Sequence, residues 1–589
     1  RRRRPHPPRR LTAVTSSKYY IDELTYLREL GREFALAHPQ AAPLLAEVGT
    51  DPDVERLLEG FAFLTAQLRE KLEDEQGYYN QQIIQLLWPQ YLRPIPSATV
   101  VQFTALPRIA RETKAIPAGT RLGSRPVDGT SCTFTTSGEV VLSPLSLSEC
   151  ELRTVPSAQL RLRLRTLAGT GFNAITQDRL RIHLTGERAV TRALYVCLLG
   201  CLKGISLRRA DGTSVDSALR VEPVGFTEDE ALVPGMERSF PGLRLIQEYL
   251  AFPQKFMFVD IVGIRQLQAL GSAGVADLIF DLDRLPTDMP PVSAANLQLQ
   301  CTPAVNVFQH EADPVRYDPR RTTFKLRPAG ADPRHFEVYR IESVRGIDRS
   351  NGESREYRPM LRPGRRGDDR LFYFSSFAPS PIGEGNDQYL GLVDEREGGS
   401  PQPAVLSASL TCTNGQLPTR LGPADIIQPT AATATLATFR NITRPTPSYP
   451  SPAPGELYWR LIAHFGLSHR SICSVDALRE LVRIYDFPAQ VDRQLERTRS
   501  RMLDGIEGVD SQPATRLYRG APVRGVSVTV RLSEEHFGGE GEIFLFGAIL
   551  NELLANSVSL NSFIRLQVVG TRFSEVFAWP ARIGRRSIL

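Results

Sequence analysis

The sequence predicts an α+β, multi-domain fold, with amphipathic helices at the N-terminus, antiparallel β-rich middle domains and a mixed α/β C-terminal region. Three observations carry this. The chain has 589 residues, beyond what a single core supports. Apolar residues in the first hundred positions recur every three or four places, whereas later segments alternate strictly. Composition is that of an ordinary globular protein, with 41% apolar and 23% charged residues.

The elements follow in order. The head, Arg1 to Arg10, has six arginines, three prolines and nothing apolar to bury, so it is expected to be disordered or merely extended. From Tyr19 to His38, Ile21, Leu24, Leu27, Leu30 and Phe34 trace one stripe, which Pro39 stops. The next helix can be capped by Thr50 or Asp51, with Pro52 in its first turn and Asp53 and Glu55 at its positive end. Val54, Leu57, Leu58, Phe61, Leu64, Leu68 and Leu72 then run about five turns. The near-heptad subset Val54, Leu57, Phe61, Leu64, Leu68 and Leu72 suits a bundle seam, so part of it is expected to bind helices of partner chains. A shorter helix is expected from Asn80 to Trp88.

After Pro94 and Pro96 the pattern becomes that of strands. Leu160 to Arg165 and Arg179 to Leu184 alternate leucine-rich and basic faces. Leu297, Leu299 and Cys301 alternate likewise, as do Val526, Val528, Val530 and Leu532, then Ile564, Leu566 and Val568. Such alternation predicts antiparallel sheets with one wet face over Ser97 to Asn441, with helices before and after. Asp348 to Arg370 and Asp394 to Pro403 read as loops, and Arg444 to Gly455 as a proline-rich connector. A helical region from Leu457 to Asp486 and a helix near Ile543 to Asn556 complete the pattern. The expected division is a head at 1–17, a bundle-forming helical region at 18–96, and β-rich domains at 97–300 and 301–443. A linker at 444–456 and an α+β domain at 457–589 follow.

Charge excludes a global nucleic-acid footprint. Basic residues exceed acidic ones by 71 to 65, and the head accounts for that excess. The arginine faces of Arg161, Arg163, Arg165, Arg179 and Arg181 lack interleaved aromatics for stacking bases, so they read as solvated or interprotein faces. Seven sparse cysteines make no disulfide framework and favour a reducing compartment. The longest apolar stretch, Ala193 to Leu202, is about half of a membrane span. The leading arginines have no apolar core after them and form no secretory signal. The expectation is a soluble, cytoplasmic protein.

Motifs for chemistry are missing. There is no phosphate-binding glycine loop, and Gly538 to Gly541 (GGEG) reads as a turn. Cys197 and Cys201 have no second ligand pair and read as small core residues rather than half a zinc site. His464 and His469 would diverge by about 140° on a helix. Asp277, Asp281 and Asp283 share a strand face without the looped cage calcium needs. Neither GxSxG nor HExxH occurs, and the eight histidines are scattered. No catalytic, cofactor-binding or metal-binding residue is assigned, and no cofactor is expected. A triad assembled in space leaves no sequence motif, so a hydrolase on an antiparallel scaffold and a nucleic-acid-binding scaffold stay open as alternatives.

Several long strings resemble one family in colinear order. Asp51 to Asp74 (DPDVERLLEGFAFLTAQLREKLED) and Trp88 to Ser97 (WPQYLRPIPS) resemble the amino-terminal signature of the TssF family, also written VasA or ImpG. Gly242 to Ile261, Thr302 to Val315, His335 to Gly346, Leu410 to Pro418, Leu457 to Leu467, Arg519 to Val530, Ser557 to Val568 and Trp579 to Leu589 are similar too. Coverage runs from about Lys18 to the end; the head, Gly77 to Ile83, Leu467 to Ser471 and Leu550 to Asn556 depart from the pattern. The resemblance implies a non-enzymatic, structural wedge subunit of a type VI secretion baseplate. Two copies of such a chain would join one TssG-like partner through a helix bundle. TssK- and TssE-like subunits and the spike hub would follow, in the cytoplasm at a baseplate docked to the inner-membrane complex.

Overall fold

The computed structural model describes residues 10–38, 52–87, 89–452 and 474–584, with short interruptions of which the longest are 235–240, 361–369 and 395–402. The chain divides into two compact units, residues 1–84 with 453–462, and residues 85–452 with 463–589.

The first unit is a helical hairpin of α1 (Arg10–Ala37) and α2 (Pro52–Leu87). Arg28 pairs with Glu55 at 2.8 Å and Arg69 with Glu23 at 2.9 Å, which makes the two helices antiparallel. Arg69 also lies over the Tyr19 ring, 5.7 Å from its centre. Two expectations change here. Residues 10–17, assigned to the head, are helical, while Arg1 to Arg9 lie outside the described residues. Of the separate helix expected at Asn80 to Trp88, residues 80–87 are the last part of α2 and Trp88 lies outside the described residues. Gly77 is the weakest helix former in that stretch, and its cost of about 1 kcal/mol is too small to end a long helix.

The second unit begins with a six-stranded antiparallel sheet in the order Ile426–Pro429, Arg121–Val127, Thr130–Thr136, Cys301–Val305, Ala98–Ala105, Ala437–Asn441. Val101, Phe103, Leu122, Phe134 and Ile426 fill its core. This sheet overrides the expected boundary between residues 300 and 301, because Val101 pairs with Thr302 on one side and Asn441 on the other. The strand that returns beside the first one comes from more than 300 residues away, which sequence proximity does not reveal. Residues 444–452 are no free linker either. Ile95 and Tyr449 exchange both backbone hydrogen bonds, at 2.8 and 2.9 Å, and the Thr446 N–H donates to Ala98 O at 2.9 Å. Residues 453–456 lie outside the described residues.

Antiparallel sheets dominate the middle, as expected. A five-stranded sheet contains Gln159–Thr166 between Val275–Leu282 and Leu145–Arg153, and a four-stranded sheet contains Arg179–Leu184 beside Phe258–Val262. An eight-stranded sheet is built round Glu337–Asp348 and Pro403–Thr413, and its single parallel pairing joins Ser354–Pro359 to Leu371–Pro379. Among the described residues of this span two α-helices occur, α3 (Arg188–Leu199) and α4 (Pro241–Ala251). Eight of the twelve residues of α3 and nine of the eleven of α4 are buried, charged ones such as Arg192, Arg244 and Glu248 among them, so burial does not follow the apolar pattern by which a helix face is recognised in sequence.

The C-terminal part has α5 (Val475–Tyr485), α6 (Arg493–Asp504) and α7 (Glu540–Ser557). Ser474 Oγ caps α5 by accepting the Ala477 N–H, and Asp492 Oδ1 caps α6 by accepting from Gln494 and Leu495. Helix α7 is the crossover between the parallel strands Ala521–Leu532 and Phe563–Gly570. Ile506–Tyr518 adds an antiparallel neighbour, so the region is mixed. Of the helical stretch expected at Leu457 to Asp486, residues 457–473 lie outside the described ones.

Candidate assembly interface

Helix α2 has two contrasting sides. At 100° per residue, Glu55, Leu58, Ala62, Ala66 and Arg69 share one side. Ala62 and Ala66 are buried, and Glu55 and Arg69 reach α1. Leu57, Phe61, Leu64 and Leu68 centre roughly 130° round the helix from there. They are 73%, 57%, 59% and 62% exposed, values that belong to an uncovered face rather than to a core. Val54 is half-buried, and Leu72 lies in the helix with its side chain outside the described residues. The stripe named from sequence therefore does not cover this hairpin's own interior; smaller residues do that. On α1 the expected stripe splits, with Leu24 and Leu27 half-buried and Ile21, Leu30 and Phe34 exposed. A run of four large apolar side chains in water is unfavourable by roughly 25 cal/mol per Å² of exposed apolar surface. Gly60, Thr65 and Gln67 flank it without charge.

The arginine faces are different in kind. Arg163 forks onto Asp277 at 2.8 and 3.0 Å and also reaches Glu149 at 2.9 Å. Arg161 pairs with Glu149 and Glu151 at 2.9 Å, Arg181 forks onto Asp260 at 2.9 Å, and Arg179 meets Glu222 at 3.0 Å. Arg165 is exposed. Asp277, weighed above as part of a cation cage, is thus a cross-strand partner of arginine. Asp281 accepts from Gln159 at 2.7 Å and Asp283 pairs with Lys203 at 2.9 Å. These strands carry compensated charge, which leaves little positive field for a polyanion.

The remaining nominated groups are core or turn residues. Cys197 and Cys201 are buried, and burial pushes the Cys197 thiol up to about 12. Among the described residues no three His, Cys, Asp or Glu side chains group as metal ligands. His464 and His469 lie outside them. Gly538 and Gly539 adopt φ of +77° and +116°, the turn expected there, and lead directly into α7.

Residues 14–586 match the family model described as Type VI secretion system, TssF. The chain belongs to the TssF family. Type VI secretion system component TssF1 of Pseudomonas aeruginosa is 30% identical over 628 residues, covering 97% of this chain and 98% of the relative. A solved chain from the TssK-TssF-TssG baseplate subcomplex, determined by cryo-electron microscopy, superposes with a TM-score of 0.74 at 29% identity, covering 90% of this chain and 99% of that one. A chain from the baseplate complex of the type VI secretion system gives a TM-score of 0.62 at 27% identity, over 97% and 100%. Among the described residues no helix is long and apolar enough to cross a membrane.

This TssF-family chain also holds a buried ionic network that sequence reading missed. Glu542, near the start of α7, accepts from Arg192 Nε of α3 at 2.7 Å, and Arg188 Nη2 lies 2.9 Å away. The Tyr249 hydroxyl of α4 donates to the same carboxylate. Burial alone raises this carboxyl, but Arg192 and Arg188 outweigh it and hold it at about 2. Next to it, Glu248 pairs with Lys255 and accepts the Leu232 N–H at 2.8 Å. Burial pulls the Lys255 ammonium down to about 8 against the pull of Glu248. A signal existed, since Glu540 and Glu542 open the otherwise apolar run EGEIFLFGAIL. Acids at a helix N-terminus are favourable, and acids in an apolar run need partners.

Proposed function

We propose that this chain is a structural wedge subunit of a type VI secretion baseplate and that it has no catalytic role. Its TssG-like partner docks helices on the outer face of α2 through Leu57, Phe61, Leu64 and Leu68, with Val54 and Leu72 extending the seam. A second copy of the chain and a TssK-like subunit join the same wedge. A TssE-like subunit and the spike hub follow, at a cytoplasmic baseplate docked to the inner-membrane complex. The observation that carries this reading is the uncovered apolar face on α2, where Leu57, Phe61, Leu64 and Leu68 lie along one side of the helix and are each more than half exposed. Heptad spacing suits that face to a helix seam, and family membership supplies the kind of assembly.

Coexpression with the TssG-like subunit of the same system tests it. Leu64→Asp with Leu68→Asp is expected to abolish co-elution on size exclusion, while circular dichroism and the melting of the single chain stay as in the parent. A complex that survives the double substitution would remove α2 from the interface. The nucleic-acid alternative draws no support from strand faces whose arginines already face carboxylates.

A further inference from the structure

A cleft of about 800 Å³ opens in the second unit, between the start of the strand Glu337–Asp348, residues 415–420 and residues 448–450. That is the size range of ligand clefts. Four carboxylates lie in its wall, and three have a cation of their own. Asp128 is held by Arg420, Asp332 by Arg334 and Asp387 by Lys325.

Glu337 is the fourth. Its Oε1 accepts the Asn386 N–H at 3.0 Å, and among the described residues no cation pairs with it. The fit round it is close, because a Cβ on Gly385 would stand 2.5 Å from that same oxygen. Two residues earlier on the strand, His335 also lines the cleft, its Nδ1 tied to Thr130 Oγ1 at 2.9 Å. Burial raises the Glu337 carboxyl to about 6, with Asn386 opposing and Asp387 adding. A shielded carboxylate without a counter-charge is costly to ionise, and an incoming cation removes that cost. An anion would gain nothing, since the guanidinium groups of Arg334 and Arg420 are already engaged.

We propose that this cleft binds a cationic peptide segment of a partner protein, whose lysine or arginine side chain pairs with Glu337. The volume has room for a short stretch of chain as well as the side chain, so the occupant is a segment and not a lone amine. The cleft's residues all belong to the second unit, and its test does not use the TssG-like subunit.

Random heptapeptides displayed on phage are selected against the full chain and against Glu337→Gln in parallel, and the strongest binder is synthesised for anisotropy titration. The expected result is enrichment of Lys or Arg at one position on the parent chain only. Affinity of the synthetic peptide should fall at least tenfold with Glu337→Gln, which keeps an acceptor for the Asn386 N–H. Gly385→Ala, which presses on the carboxylate, should weaken it too. Between pH 7.5 and pH 5 affinity should drop by about tenfold, as a carboxyl near 6 becomes mostly protonated. The other charged or titratable side chains lining the cleft are His335, Asp128, Asp332, Asp387, Arg334 and Arg420, and each of these carboxylates is paired with an arginine or lysine. Absence of enrichment, binding indifferent to Glu337→Gln in a chain that melts normally, or full competition by free spermidine would overturn the proposal.

Discussion

The helices of the two units put their charges and their leucines in opposite places. In the N-terminal hairpin, α2 turns Glu55 and Arg69 towards α1 and leaves Leu57, Phe61, Leu64 and Leu68 in water. In the second unit, α3, α4 and α7 bury Arg192, Glu248 and Glu542 among Leu194, Leu245 and Leu545. One arrangement leaves large apolar side chains in water. The other is complete, since each buried charge there faces an opposite one. An assembly subunit needs both: a body that folds without help and a face that gains by being covered.

Breaking each arrangement should therefore have a different readout. The largest effect expected is on association: Leu64→Asp with Leu68→Asp should reduce affinity for the TssG-like subunit more than a hundredfold. Each leucine forgoes roughly 1.5–3 kcal/mol of burial, and each new carboxylate must be desolvated at the seam. The isolated chain should melt unchanged, because exposed positions tolerate charge. Concerted loss of helicity would mean that the stripe covers an internal core.

Next in size is Glu542→Ala. It strands the buried Arg192 guanidinium, and removing one partner of such a pair costs about 3–5 kcal/mol. A lowered urea midpoint for the second unit checks this, and association through α2 should persist wherever the chain is folded. A change below about 1 kcal/mol would show that water or a shifted Glu540 replaces the lost carboxylate.

The same contrast explains what could be read beforehand. Helix α2 was legible because one-sided apolar spacing survives in sequence whether or not the face is covered. Strands such as Gln159–Thr166 were legible because their leucines and arginines alternate between core and cross-strand carboxylates. Helices α3 and α4 were not, because their buried residues include charged ones such as Arg192, Arg244 and Glu248, which a sequence reads as facing solvent. Long-range pairing was invisible too: nothing local to Ala98–Ala105 indicates that Ala437–Asn441 lies beside it. Nor could the stripe of α2 alone say which of its sides meets α1; Ala62 and Ala66 decided that.

A third way to separate the regions is pH. His183 is buried against Phe258, neither ring nitrogen has a partner among the described residues, and burial lowers its pKa to about 3. Unfolded, it would titrate near 6.5, so below that pH the unfolded chain binds more protons and stability falls. The loss should reach roughly 2 kcal/mol at pH 5. Glu337 acts with the opposite sign: raised to about 6, it protonates first in the folded state and adds stability as pH falls towards its ordinary value. Glu542, held at about 2, contributes fully until the pH drops below the ordinary carboxyl range. Parent and His183→Phe must therefore be compared at each pH. The variant should gain about 2 kcal/mol on the parent between pH 7 and pH 5 by urea midpoint; parallel curves would place a proton acceptor beside the ring.

The smallest effect should come from the arginine faces, and it tests whether charge on the sheet surface contributes as the buried network does. Arg163 bridges Asp277 and Glu149 but remains partly solvated, so water and salt screen what it contributes. In Arg163→Ala, Asp277 still has Arg161 at 3.7 Å, so no carboxylate is stranded as Arg192 would be. The expected loss is at most about 1 kcal/mol, shrinking further in 1 M salt. The same variant should not alter retention on heparin, since the guanidinium it removes is already offset by carboxylates. A loss comparable to that of Glu542→Ala would mean that the strand face behaves as interior, and that the second unit relies on surface charge as much as on its helical core.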